Sequence, residues 1–117
     1  MNSIRDIEAR RAQILGEMQA LRSICKGTVA KQMLKVKHKG KDQPVLRGPY
    51  YVLVQKAGGK TRSQRLTTPE QICQAQQDVA NHKRFAGLCK EFEQLTRQLG
   101  EAERQEGLEQ EALKKGL

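Results

Sequence analysis

Near the start of the chain, apolar residues return at intervals of three and four: Ile4, Ile7, Ile14, Met18 and Leu21, with Leu15 and Ile24 widening the stripe. A period of that kind puts side chains on one face of an amphipathic helix, and it predicts a helix over residues 1–25. Ser3 is placed to cap its start, since a serine oxygen accepts from the free amides of a first turn, and Gly27 follows its end as helix-terminating glycines do. The period then changes. Gln32 to Lys37 mixes Met33, Leu34 and Val36 with polar residues and reads as a strand, and Gly40 to Pro44 as a loop. Tyr50 to Lys56 and Thr61 to Leu66 flank Gly58-Gly59, which supplies the positive φ angles of a two-residue hairpin turn. That turn would set Lys56 opposite Thr61, Val54 opposite Ser63 and Val52 opposite Arg65. The other face would pair Gln55 with Arg62, Leu53 with Gln64 and Tyr51 with Leu66. Which face turns inward is left open by the pattern.

A second helix announces itself at Thr67-Thr68-Pro69-Glu70-Gln71. Thr68 suits the N-cap, Pro69 the first helical position, and Gln71 closes a capping box. Ile72, Ala75, Val79, Phe85, Leu88, Phe92, Leu95, Leu99 and Ala102 then form a narrow, coiled-coil-like seam, which predicts a helix over 68–100. Residues 101–117 are polar, rich in Glu and Gln and interrupted by Gly107 and Gly116, so they are expected to fray. The fold class is α+β: an N-terminal helix, a basic antiparallel sheet of two or three strands within 26–67, and a long C-terminal helix, all in a single small domain.

Composition narrows this further. The chain has 117 residues, and Leu, Ile, Val and Phe total 25, so its core must be thin or elongated. With two Tyr, two Phe and no Trp, it lacks the aromatic platforms of sheet-type RNA binders. The formal net charge is +9, with 22 Lys and Arg against 13 Asp and Glu, and the excess is local. From Lys26 to Arg65 there are eleven basic residues and one acid, Asp42, a net charge of +10. Residues 66–117 contribute −2 and residues 1–25 only +1. So focused a patch fits a phosphate-rich partner, since each cation placed on a phosphate releases condensed counterions. The competing reading is a sheet edge kept soluble by lysine, but forty residues with one acid exceed that need.

Chemistry of other kinds finds little material. His38 and His82 stand far apart with no paired spacing, and no nucleophile has a base beside it, so no catalytic residue is assigned and the protein is not expected to be an enzyme. Gly58-Gly59-Lys60-Thr61 has the ending of a phosphate loop without its first glycine, and it joins two strands. Tyr50 and Tyr51 are strand residues before they are nucleophiles. Cys25, Cys73 and Cys89 are odd in number and form neither a disulfide framework nor a zinc spacing, so no cofactor or metal is expected. Without a secretory h-region or an apolar run long enough for a membrane span, the expectation is a cytoplasmic protein with no membrane association.

The run Gly48-Pro49-Tyr50-Tyr51, then Gly58-Gly59-Lys60-Thr61-Arg62-Ser63 and Leu66, then a long helix, resembles a family of short uncharacterised prokaryotic proteins. There a Gly-Pro-Tyr-Tyr strand leads into a Gly-Lys-Thr-Arg hairpin, and members are often encoded beside transposases of mobile elements. The resemblance covers roughly residues 27–99 and implies a nucleic-acid context, such as that of a transposition accessory. Similar proteins often carry a His before Gly-Pro-Tyr-Tyr and a Cys cluster upstream, which looks like a metal knuckle. Here Arg47 stands at the His position and residues 35–45 contain no Cys, so no metal site carries over.

These readings converge on a non-enzymatic nucleic-acid-binding protein, with DNA favoured over RNA. Lys56, Lys60, Arg62 and Arg65 of the hairpin would contact phosphates or groove edges, with Tyr50 beside them and Arg47, Lys35, Lys37, Lys39 and Lys41 as a flank. The seam of Phe85, Leu88, Phe92, Leu95 and Leu99 extends past the shorter first helix, which predicts a homodimer or a helical protein partner. Two alternatives stand beside this one. One is a binder of structured RNA; the other is a helical adaptor whose basic sheet docks an acidic protein.

Overall fold

The computed structural model describes residues 3–37, 39–40 and 43–116. The elements run α1 (Ile4–Ala20), β1 (Thr28–Val36), β2 (Val45–Ala57), β3 (Lys60–Leu66) and α2 (Pro69–Lys115). This is the α+β arrangement expected, with a three-stranded antiparallel sheet in the order β1-β2-β3.

Local chemistry explains most boundaries. The Asp6 amide donates to Ser3 Oγ at 3.2 Å, opening α1. At the start of α2 the Gln71 amide donates to Thr68 Oγ1 at 3.1 Å while Gln71 Oε1 accepts from the Thr67 amide at 2.8 Å, so the capping residues satisfy donors that the helix leaves free. Gly58 and Gly59 have φ of 60° and 78°, the mirror-image turn that matches the twist of two paired strands. The hairpin register is the one the turn dictates, from Lys56 opposite Thr61 to Tyr51 opposite Leu66.

Both helix ends differ from the pattern-based expectation. α1 stops at Ala20, and Leu21 is already extended at φ −80° and ψ 108°. The segment after it is held by other groups: Asn81 Nδ2 donates to the Ser23 carbonyl at 3.0 Å and the Cys25 amide to the Asp78 carbonyl at 2.9 Å. These tertiary bonds replace the intrahelical ones that would have carried the helix to residue 25. Gly27 therefore caps nothing. A Cβ there would lie 2.6 Å from the Val54 carbonyl oxygen, so glycine is what lets the chain enter β1 beside β2. α2 ends not at Gly100 but at Lys115. Residues 101–115 are mostly Glu, Gln, Ala, Leu, Lys and Arg, all good helix formers, and one interior glycine costs only about 1 kcal/mol.

The chain divides into two compact units: α1 with the chain from Arg84 onward, and Ser23–Lys83. In the helical unit, Arg10 bonds Glu91, Arg11 bonds Thr96 and Arg84 bonds Glu17, so α1 runs antiparallel to the facing part of α2. Ile7, Ile14, Leu88 and Leu95 make the core, flanked by Met18, Leu21, Phe92 and Leu99. Each such side chain contributes about 1.5–3 kcal/mol by leaving water.

In the sheet unit the core is thinner, with Leu66, Ala75 and Val79 buried. Leu53, Gln55, Gln64 and Leu66 share a groove with Gln71, Gln74, Ala75 and Asp78 of α2, so this face is the inner one. Gln55 Nε2 also donates to Cys25 Sγ at 2.7 Å. Strand alternation then puts Tyr50, Val52, Val54, Lys56, Thr61, Ser63 and Arg65 on the opposite face.

Candidate nucleic-acid interface

The basic residues expected to bind do not fall on one surface. Tyr50, Lys56 and Arg65 share the outer face, whereas Arg62 stands opposite Gln55, and Lys60 opposite Ala57, on the other. Both are at the turn end of the hairpin, where their side chains are exposed. Farther along, Leu34 pairs with Arg47, Lys35 with Leu46 and Val36 with Val45, so Lys35 and Arg47 lie on opposite faces. Lys37 and Lys39 follow β1 and are exposed. Lys41 lies outside the described residues, as does His38.

Within this spread one pair is tightly organised. The Arg65 guanidinium lies 3.9 Å from the centroid of the Tyr50 ring. Stacking holds the planar fork in one orientation and leaves its N–H edge for an acceptor such as a phosphate oxygen. It also covers one face of the Tyr50 ring.

The electrostatics are one-sided. All ten described basic residues from Lys26 to Arg65 are exposed. Among the described residues, every ion pair lies in the helical unit and none involves one of these ten. Their charge is not neutralised within the described structure, while the Arg10 guanidinium bonds Glu91 at 2.6 and 2.9 Å. That hydrogen bond from Arg10, with the attraction of its charge, holds the Glu91 carboxyl below the usual carboxylate range.

The expected oligomer seam is filled from within the chain. Leu88 and Leu95 are buried against Ile7 and Ile14, Phe92 and Leu99 pack beside them, and Phe85 is half-buried. Arg11 also covers the Phe92 ring at 4.8 Å. The apolar side chains that α2 leaves most exposed are instead Leu108 and Leu113, in the stretch expected to fray.

Four apolar residues of the sheet unit, Met33, Leu34, Val45 and Leu46, are exposed among the lysines, and nothing in the sequence singles them out as binding residues. Their pattern is legible only once the register of β1 against β2 is known. Among the described residues no group of three or more His, Cys, Asp and Glu could hold a metal ion, and no helix is long and apolar enough to cross a membrane. Comparison with known proteins returns no matching family model, no matching curated protein and no matching solved structure.

Proposed function

We propose that this chain is a non-enzymatic nucleic-acid-binding protein that holds DNA through phosphate contacts from its sheet unit. The observation that carries the reading is the set of ten exposed cations without an ion-pair partner among the described residues. Cations left in water at low local acid density favour a polyanion, because binding it releases counterions without first breaking internal pairs. Lys56 and the stacked Arg65 supply contacts from the outer face, and Lys60 and Arg62 extend them around the hairpin turn. The resemblance to proteins encoded beside transposases favours the same context, a mobile-element accessory.

A titration of labelled duplex DNA at low and moderate salt, beside a variant carrying Lys60→Glu, Arg62→Glu and Arg65→Glu, tests the reading. Binding that weakens steeply with salt and is abolished in the variant supports it. No binding by the unaltered protein at low salt removes it.

The second reading, a helical adaptor or homodimer, draws on Leu108 and Leu113, which are 60% and 70% exposed. Under that reading Leu108→Asp with Leu113→Asp abolishes partner capture and leaves DNA affinity unchanged.

A further inference from the structure

β3 pairs with β2 only from Tyr51 to Ala57, whereas β1 and β2 stay paired out to Val36 opposite Val45. Beyond Tyr51 the sheet therefore narrows to a two-stranded ribbon. The register shifts between Gln32 and Leu34, where Gly48 has φ of 136° and a Cβ would lie 2.9 Å from the Gln32 carbonyl oxygen. Past that irregularity, Leu34, Val36, Val45 and Arg47 share one face and Lys35 and Leu46 the other. Leu34 is 46% exposed and Val45 38%, and Lys35, Lys37, Lys39 and Arg47 stand exposed around them. A bare two-stranded ribbon is at best marginally stable in water, and this one adds exposed apolar surface to that weakness.

We infer that this ribbon lies in the major groove of duplex DNA, with Leu34, Val36 and Val45 against thymine methyl groups and Arg47 reaching a guanine edge or a phosphate. The inference rests on the nucleic-acid reading and commits it to DNA. A ribbon about 10 Å thick with its side chains matches a groove about 12 Å wide. The major groove is also where a base pair offers both an apolar group, the thymine methyl, and acceptors for arginine. RNA lacks the first, since uracil has no methyl, and withholds the second, since the A-form major groove is too deep and narrow to read. A second copy of the ribbon is a poor occupant, because it would bring Lys35, Lys37, Lys39 and Arg47 against their own kind.

The test uses the full chain and two DNA duplexes of one mixed sequence, one with thymine and one with deoxyuridine throughout. Base pairing and phosphates are unchanged between them; only the major-groove methyls differ. The unaltered protein is expected to bind the thymine duplex more tightly by about fourfold for each methyl contacted, the worth of one buried carbon. A variant with Leu34→Gln and Val45→Gln is expected to lose most of that preference, retaining only the share due to Val36, while keeping its salt dependence. Equal binding of the two duplexes by the unaltered protein, with neither bound by the Lys60→Glu, Arg62→Glu, Arg65→Glu variant, overturns the ribbon and leaves the nucleic-acid reading standing. No binding of either duplex overturns both. Since the comparison of duplexes needs no variant, it decides the matter even if the double substitution misfolds.

Discussion

The two units treat charge differently. In the helical unit, Arg10 sits between Glu17 and Glu91, Arg84 reaches Glu17 and Arg97 reaches Glu93, so three of its cations pair with carboxylates at the surface. The sheet unit has its cations exposed and unmatched among the described residues. Apolar burial divides less cleanly. Ile14 is fully buried in the helical unit, yet Leu108 and Leu113 are exposed there; the sheet unit buries Leu66, Ala75 and Val79 and exposes Met33, Leu34 and Leu46. Under the proposed function, a polyanionic partner would relieve the self-repulsion among the like charges of the sheet unit.

Two variants should separate these roles most widely. Charge reversal at Lys60, Arg62 and Arg65 is expected to weaken DNA affinity by about a hundredfold or more and to flatten the salt dependence by about 0.9 in log–log slope for each phosphate that is no longer neutralised. Thermal and urea unfolding of that variant should differ from the unaltered chain by no more than the lost Arg65–Tyr50 stacking, about 0.5–1 kcal/mol, as all three side chains are exposed. Ile14→Ala is expected to do the reverse. Removing a fully buried side chain that packs with Leu88 and Leu95 should cost about 2–5 kcal/mol in denaturant unfolding. If the charge reversal destabilises the fold as much as Ile14→Ala does, the division of labour between the units is wrong.

How much of this the sequence could show depends on what each feature is made of. The hairpin register is legible because Gly58-Gly59 fixes it locally, and the start of α2 because Thr68, Pro69 and Gln71 act within one turn. The end of α1 is not legible, because it is decided by Asn81 and Asp78, which lie far along the chain from Ser23 and Cys25. The inner face of the sheet needs the same kind of distant information, namely which face meets Gln74 and Ala75. For the candidate site, the basic residues can be counted from the sequence but not sorted by face. The exposed ribbon beyond β3 follows from unequal strand lengths that no local signal gives.

Smaller effects sharpen the comparison at single positions. Thr68→Ala removes the oxygen that accepts from the Gln71 amide and should cost about 1 kcal/mol of stability, read from urea unfolding. Tyr50→Leu keeps an apolar strand residue but leaves Arg65 without its ring. The loss of that stacking, about 0.5–1 kcal/mol at an exposed site, should show as a weaker hold on DNA. If Arg65→Ala weakens DNA binding equally in the presence and absence of Tyr50, the stacking does not orient the arginine.

The smallest effect distinguishes the units by solution condition. Because the Arg10 guanidinium holds the Glu91 carboxyl below its ordinary value, folding favours the ionised form. That stabilisation is fully present above the ordinary carboxylate pKa and is lost as pH falls through the lowered value of the folded state. Arg10 keeps its charge throughout, since guanidinium does not deprotonate in this range. Glu91→Gln should therefore unfold at lower urea than the unaltered chain near neutral pH, and the two should converge as the solution is acidified. The pair is solvent-accessible, so the gap will be small and will shrink with added salt. DNA affinity near neutral pH should be indifferent to Glu91→Gln, because the substitution leaves the cations of the sheet unit untouched. A change in affinity there would mean that the helical unit takes part in binding.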